Sequence, residues 1–489
     1  MYDSARCLLE DSVRMMARPH VVILGAGPAG VGAAFQLTHR ALAQVSVLER
    51  NSWVGGNAGS FELAGMRVDY GSHRLHPTCD PDVLRDIRAL LGDDLLDRPR
   101  HGRIRLRGRW IHFPLKPLDL ILRLPPSFAV GVATDLIEKA SRWKRGPLDA
   151  ETFASVLEAG LGKTICQDFF FPYARKIWGL APEELSVTQA RRRVGASSLG
   201  KMFRKLTAAV PGLRPPGAGQ FYYPRQGYGQ ISEAMFRAAE AASARFEFGA
   251  TVRSLERAGK IACGVTYEQK GALRTLEADH IWSTLPVSVL VRCLEPKAPD
   301  ELLEAVGRIA YRAMILIYLV LEQERFSEYD AHYFPESNIP ISRLSEPKNY
   351  GGAGPPDRTV LCAELPCEPE DPEWQMPDDD LGQLVCAALE QAAIPVRAPV
   401  KEIVTRRLRQ AYPIYRQGYE VHFDRMDRYL SDFNNLLTFG RQGLFAHDNT
   451  HHALYMAYAA TDCLGADGLF DRERWHTFRR IFETHVVED

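Results

Sequence analysis

Residues 21–30, VVILGAGPAG, constrain this chain more than any other stretch. A short aliphatic run breaks into Gly25, Gly27 and Gly30, and an acidic residue, Glu49, follows nineteen residues after the last glycine. Residues 21–24 have the unbroken aliphatic character of a strand buried on both faces of a parallel sheet, and residues 31–39 read as the helix after it. Gly25 permits the tight turn, Gly27 lets a pyrophosphate approach the backbone, and Gly30 lets helix and strand pack closely. Pro28 and Ala29 complete the turn, where the helix N-terminus offers free N–H groups to phosphates. Residues 45–48 form a second strand that delivers Glu49, with Arg50 beside it, to a ribose hydroxyl. This is a dinucleotide-binding fingerprint, and it predicts an α/β, doubly wound domain.

At 489 residues the chain exceeds what one core serves, so two or three structural units are expected. Its 60 basic and 61 acidic residues give a net charge of −1, which argues against bulk attraction to nucleic acid or to an anionic membrane. The nine cysteines are scattered without CxxC or zinc spacing and read as reduced thiols. The first twenty residues carry Asp3, Arg6, Glu10, Asp11 and Arg14 and lack the apolar core of a secretory signal. The longest uncharged aliphatic run, residues 313–321, is far short of the roughly 20 residues of a membrane helix and reads as a buried strand. The expectation is a cytoplasmic enzyme with a small-molecule substrate, no metal, no nucleic-acid partner and no membrane insertion.

Downstream of Arg50, Gly55-Gly56-Asn57-Ala58-Gly59-Ser60 is followed by Val68-Asp69-Tyr70-Gly71-Ser72-His73, which closes another apolar turn. Together these segments resemble the FAD-binding flavoproteins of the amine oxidase and protoporphyrinogen oxidase superfamily, in which a second diglycine motif lies along the phosphates and flavin. The resemblance implies FAD as the cofactor, with Gly55, Gly56, Asn57, Gly71, Ser72 and His73 near it; Asn57 stands where the family often has arginine. It also implies a Rossmann-like FAD domain built from residues 18–90, 221–295 and 430–489, with a mostly helical insertion at 91–220 and a sheet-containing substrate region at 296–429. Residues 246–252 resemble the strand whose Val252 backbone meets the adenine, and residues 278–286, with Thr284, the strand that returns to the cofactor. Residues 211–219, PGLRPPGAG, read as a linker.

Within that superfamily the order of motifs is similar to UDP-galactopyranose mutases. Lys176-Ile177-Trp178-Gly179, the glycine-rich 221–229 segment with Arg225, Arg343 in the 339–348 segment, and the final Gly440-Arg441-Gln442-Gly443 occur in family order. The resemblance places Arg343 beside the flavin, Arg441 at the pyrophosphate and Trp178 where it would stack on a substrate. Each residue also has a plainer reading: Trp178 as core packing, Arg191 to Arg193 as a solvated helix face, Arg225 as a backbone-holding side chain, Arg343 as half of an ion pair. The six arginines of residues 98–109 alternate with apolar residues, as on the solvated face of a hairpin or a wall that attracts an anionic substrate.

The mutases carry a tyrosine and acidic residues after the final GRxG, where this chain has Ala446-His447-Asp448-Asn449-Thr450-His451-His452. An imidazole titrates near neutrality and can take a proton from a hydroxyl or amine as hydride leaves the neighbouring carbon. His447, His451 and His452 are therefore candidate bases, although the latter two sit near the start of the last helical pattern, where capping roles are common. The leading expectation is an FAD-dependent oxidoreductase moving hydride between flavin N5 and a CH–OH or CH–NH group of a small polar metabolite such as a sugar or glycoside. The alternative is a redox-neutral, UDP-galactopyranose mutase-like isomerase acting on a sugar nucleotide, with reduced FAD as nucleophile. Oligomeric state is open.

Overall fold

The computed structural model describes residues 18–114, 119, 122–142, 151–194, 219–352 and 354–487. The linker expected at 211–219 falls outside these residues apart from Gly219, as does Cys7.

The aliphatic run becomes the strand His20–Leu24, the centre of a five-stranded sheet. It pairs in parallel with Gln44–Glu49 on one side and His280–Ser283 on the other, and Arg245–Phe248 and Leu436–Thr438 extend the two flanks, also in parallel. Successive side chains point to opposite faces: Val21 and Ile23 join one core cluster, Val22 and Leu24 another, and all four are fully buried. The first face carries the helices Pro28–His39 and Thr450–Asp462, which approach so closely that a Cβ on Gly32 would stand 2.9 Å from the Leu454 side chain. The second face carries the antiparallel strands Thr251–Ala258 and Ile261–Gln269 and the helix Tyr419–Ser431.

A second, seven-stranded sheet runs Val400–Ile414, Ala310–Leu321, Thr359–Cys367, Arg343–Ser345, Ala331–Tyr333, Gly102–Leu106 and Arg109–Phe113. Its second and long strand Ala310–Leu321 contains the aliphatic run expected to be buried, and residues 313–321 are buried throughout. The last two strands come from the stretch expected to be mostly helical. They form a hairpin whose turn, Arg107-Gly108, has positive φ at both positions (49° and 71°), the backbone that fits a two-residue connection to twisted strands. Ile104, Leu106 and Ile111 face the core, while Arg103 lies between the rings of Trp110 (4.2 Å) and Tyr329 (4.4 Å) and Arg105 pairs with Glu336. The arginines of this hairpin are therefore mostly engaged in packing and ion pairs rather than displayed as one solvated face.

The helical part of the insertion comprises Pro126–Arg142, Phe153–Leu161, Phe171–Trp178 and Val187–Val194, with a core that includes Phe153, Leu157, Phe171, Ile177 and Trp178. Lys176 fastens it to the seven-stranded sheet by donating from Nζ to the carbonyls of Phe334, Glu336 and Ile341. Among the described residues no helix is long and apolar enough to cross a membrane.

The strand-to-helix turn has one unforgiving point. A Cβ on Gly30 would lie 1.9 Å from the carbonyl oxygen of Gly25, which cannot move without disturbing the first strand. Gly30→Ala is expected to destabilise the protein by about 1–3 kcal/mol, read as a lower urea midpoint with an unchanged slope.

Candidate active site

The two sheets and the insertion enclose a cavity of about 1080 Å³. One end is the fingerprint turn. Gly25 holds φ at +95°, where a Cβ would meet Thr284 Oγ1 at 2.6 Å, and Thr284 donates from that hydroxyl to the carbonyl of Leu24. Glu49 accepts from the Ala26 N–H (2.7 Å) and from the backbone and side-chain N–H groups of Asn51 (2.9 and 2.8 Å), so the acid organises the turn while lining the cavity. Gly27 differs from its neighbours: a Cβ there meets nothing within 4 Å, because the residue faces open cavity.

Around this turn converge segments far apart in sequence. A Cβ on Gly56 would lie 3.4 Å from Gly27 Cα, and one on Gly440, at φ +80°, would lie 2.8 Å from Ala29 Cβ. Asn57 and Gln442 donate to the Gln410 carbonyl (3.3 and 2.9 Å), and Arg441 donates to the Ala411 carbonyl (2.9 Å) with its guanidinium over Tyr412. Asn449 and Thr450, at the N-terminus of the last sheet-covering helix, also line the cavity and direct the positive end of its dipole inward. The glycine cradle, the arginine and the helix end fit a dinucleotide diphosphate, with Arg50, Thr251 and Val252 continuing the wall toward the ribose and base.

The other end is polar and charged. Glu364 accepts from the Ser72 N–H (3.0 Å) and from Arg343 Nε and Nη2 (3.0 and 2.7 Å), tying the 68–73 segment to the seven-stranded sheet. Arg74 donates to Tyr350 (2.9 Å) and Tyr333 (3.2 Å) and approaches Asp330 (3.4 Å). His73 donates from Nε2 to the Tyr70 carbonyl (2.9 Å), and burial lowers its pKa, partly offset by Asp69, which keeps Nδ1 as an acceptor at neutral pH. His447 lines the wall between the rings of Tyr412 (stacked, 5.9 Å) and Tyr415 (edge-on, 5.0 Å).

Of the residues singled out in the sequence, Gly25, Gly27, Pro28, Ala29, Glu49, Arg50, Gly56, Asn57, Ser72, His73, Val252, Thr284, Arg343, Gly440, Arg441 and His447 line this cavity. Gly30, Gly55 and Gly71 stand behind its surface as backbone turns and close contacts. Trp178 lies in the core of the insertion, edge-on to Phe153 and His447, and supports the wall without forming it. His451 and His452 also lie off the cavity: His447 is in the loop before the helix Thr450–Asp462, whereas these two are in its first turn and pack on each other and on the C-terminal segment. There His452 stacks on His485 (4.2 Å), and Asp448 takes His485 on one oxygen (3.2 Å) and Arg192 on the other (3.3 Å). Burial works against the Asp448 charge, but the His485 hydrogen bond and the neighbouring cations outweigh it and hold the carboxyl below its usual range. Asp448, His452 and His485 bring metal-ligand atoms within 4.8 Å of one another, but Arg192 on Asp448 and the Asn449 N–H on His452 Nδ1 occupy positions a cation would need. Glu364 and Tyr412 carry no local motif; Arg74 and Asp448 are signalled only by directly following His73 and His447.

Two outcomes are expected. Gly27→Leu has room to fold, at φ −68°, but fills the cradle, so the purified variant should lack the visible flavin spectrum while keeping its urea midpoint in the cofactor-free state; Arg441→Ala should weaken flavin retention by about 1.5–3 kcal/mol. Burial pushes His451 down to about 2 and His452 down to about 4, so both are neutral in the folded protein where the unfolded chain, titrating near 6.5, is charged. Unfolding then takes up protons and stability falls as pH drops from 6.5 toward 4, by up to about 2.7 kcal/mol per pH unit for the pair. Urea midpoints of His451→Gln and His452→Gln should fall less steeply with acid than those of the unaltered chain.

Comparisons with known proteins agree with this geometry. The chain is 26% identical over 325 residues to phytoene dehydrogenase of Streptomyces griseus, a match covering 57% of each chain, and 26% identical over 312 residues to 1-hydroxycarotenoid 3,4-desaturase of a Flavobacterium species, covering 58% of this chain and 60% of that one. The match thus spans less than two thirds of these relatives. Among solved structures, reduced UDP-galactopyranose mutase superposes with a TM-score of 0.79 at 20% identity over 96% of this chain and 100% of that chain, and cyclohexylamine oxidase from Brevibacterium oxydans with 0.60 at 18% over 95% and 100%. The model of the flavin-containing amine oxidoreductase family matches residues 28–457, from the fingerprint helix into the last helix bordering the cradle, and the chain belongs to that family, with FAD as its cofactor.

Proposed function

We propose that the protein oxidises a small anionic metabolite by moving hydride from a CH–OH or CH–NH carbon to FAD. The observation that carries this reading is the charge of the cavity wall. Seven arginines (Arg50, Arg74, Arg100, Arg343, Arg407, Arg409 and Arg441) line it against three carboxylates, Glu49, Glu364 and Asp448. An FAD diphosphate supplies about two negative charges, so roughly two positive charges remain for a second anion. A wall of this kind is a poor solvent for an apolar polyene and repels a free amine cation, whereas a sugar or hydroxy acid carrying phosphate or carboxylate complements it.

Bound FAD supplies the hydride acceptor. The chain's residues supply position and proton transfer. Arg343 is fixed by its two bonds to Glu364 and keeps Nη1 for the substrate anion, which orients the reacting carbon. His447 is the proposed base, taking the proton of the hydroxyl or amine as hydride leaves; of the three histidines in its segment it is the one on the wall, and Tyr412, Tyr415 and Trp178 fix its ring. A redox-neutral sugar mutase could use the same fold and arginines, and the substitution of His447 for the tyrosine of the mutase motif weighs against it.

Anaerobic mixing of the FAD-loaded protein with phosphorylated and carboxylated sugars, hydroxy acids and amino acids should bleach the oxidised flavin band with at least one of them. His447→Asn should retain FAD yet slow that bleaching by about 100-fold, and Arg343→Gln should chiefly raise the concentration of substrate required. Bleaching by polyenes alone, or an unaltered rate in His447→Asn, would overturn the assignment. Ring contraction of UDP-galactopyranose by the dithionite-reduced protein, without flavin reoxidation, would establish the mutase instead.

A further inference from the structure

The turn that carries His447 holds a residue in a backbone conformation that its type disfavours. After the short helix Gly440–Gly443, the Leu444 N–H donates to the Gly440 carbonyl (3.0 Å) and the Ala446 N–H to the Arg441 carbonyl (2.8 Å). Between them Phe445 sits at φ +47°, the left-handed region where a helix end ordinarily places glycine. A bulky side chain raises the energy of such a turn, which persists only where the surroundings over-determine it.

Part of that determination is apolar. Phe445 is buried, with its ring edge-on to Tyr311 (5.0 Å) and close to Tyr419 (5.6 Å) and Tyr415 (5.7 Å). Ring packing holds the side chain, and one hydroxyl holds the backbone. Tyr415 donates from Oη to the Phe445 carbonyl (2.8 Å) and accepts from the His447 N–H (3.2 Å), so its two bonds fall on either side of Ala446. Tyr415 is itself fixed: it directly follows the strand Val400–Ile414, its carbonyl accepts from the Ser186 N–H (2.8 Å), and its ring lies parallel to that of Tyr419 at 4.3 Å. Burial, opposed by Arg192, pushes the Tyr415 hydroxyl up to about 12, so it keeps the proton that it donates. The chain is anchored beyond the brace as well, through Arg441 on the Ala411 carbonyl and through Asp448 between Arg192 and His485.

We propose that Tyr415 is a positioning residue for the reaction: its hydroxyl braces the Phe445 turn so that His447 is held on the cavity wall, and it influences proton transfer only through His447. Tyr415 does not itself line the cavity. The proposal rests on the reading of His447 as the base. A hydroxyl that merely satisfied two buried backbone groups would affect stability and leave the chemical step alone.

Tyr415→Phe keeps the ring and removes the brace. The full-length, FAD-loaded variant is mixed anaerobically with the same phosphorylated and carboxylated sugars, hydroxy acids and amino acids. Its flavin spectrum and the substrate concentration for half-maximal bleaching should match those of the unaltered protein, while the limiting bleaching rate falls by about tenfold or more. Added to His447→Asn, the same change should slow bleaching by no more than about twofold further, because the group it positions is gone. Amide exchange reads the brace without substrate. In the unaltered protein the His447 N–H should exchange at least about 100-fold more slowly than in an unstructured peptide, and Tyr415→Phe should remove most of that protection while the helix Thr450–Asp462 keeps its own. An unaltered limiting rate in Tyr415→Phe, a loss that multiplies in full with that of His447→Asn, or rapid exchange of the His447 N–H in the unaltered protein would overturn the proposal; the last of these needs no variant to fold. An unaltered rate in His447→Asn would overturn the reading of the base and this proposal with it, and slow exchange would then show that the brace exists but serves the fold alone.

Discussion

The structure depends on how near backbone can come to backbone at the first strand-to-helix turn. Gly30 sits against the Gly25 carbonyl, Gly32 against Leu454, and Gly440 against Ala29, so helix, strand and returning loop converge at separations that side chains would forbid. Once these approaches exist, a surface with no side chains of its own faces the cavity, and the N–H groups of a helix end are within reach of a phosphate. Gly27 is the member of the set that guards empty space. The other glycines hold the cradle's shape and this one leaves it open.

A second constraint joins the two sheets. Asp69 is buried, and it accepts from Ser60 (2.6 Å), Tyr223 (2.6 Å) and the Tyr228 N–H (2.8 Å), while its carbonyl accepts from Tyr318 on the strand Ala310–Leu321 of the seven-stranded sheet (2.6 Å). Burial raises its pKa, and those hydrogen bonds oppose the rise. Three residues on, Glu364 reaches back to the Ser72 N–H and holds Arg343. Segments 60–74 and 343–364 are thus set in a fixed relation by buried polar contacts, which are costly to leave half made. The strand Val400–Ile414 completes the joint. As the edge of its sheet it has unpaired carbonyls, and those of Gln410 and Ala411 are taken up by Asn57, Gln442 and Arg441.

The parts of this arrangement that could be read from the sequence are those specified locally. The fingerprint turn requires its glycines within six residues, the paired aliphatic strands show unbroken apolar runs, and the hairpin at 102–113 shows its alternation, so each leaves a pattern within a short window. Glu364 and Tyr412 leave none, since their places at the site follow from which strands happen to be neighbours. The histidines show how fine the distinction is: His447, in the loop before the helix, is on the wall and His451, in its first turn, is 2% exposed among other rings, a difference that residue type does not reveal. Trp178 is similar, sitting one layer behind the surface that its motif suggests it forms.

The order of strands in the parallel sheet has a bearing on how the protein is made. Its five members are Leu436–Thr438, His280–Ser283, His20–Leu24, Gln44–Glu49 and Arg245–Phe248, so the first to leave the ribosome lies at the centre and the last closes a flank hundreds of residues later. At about 5–20 residues per second, tens of seconds of translation separate the two, during which the earliest strand has an apolar edge and no permanent neighbour there. Such long-range pairing is slow to form and exposed to aggregation. The glycine turn is synthesised long before Arg441, which lines the same cavity; a coenzyme held by both cannot be loaded until the later segment has been made, and the yield of holoprotein in a host cell should be governed as much by chaperoning of the nascent polypeptide as by flavin supply.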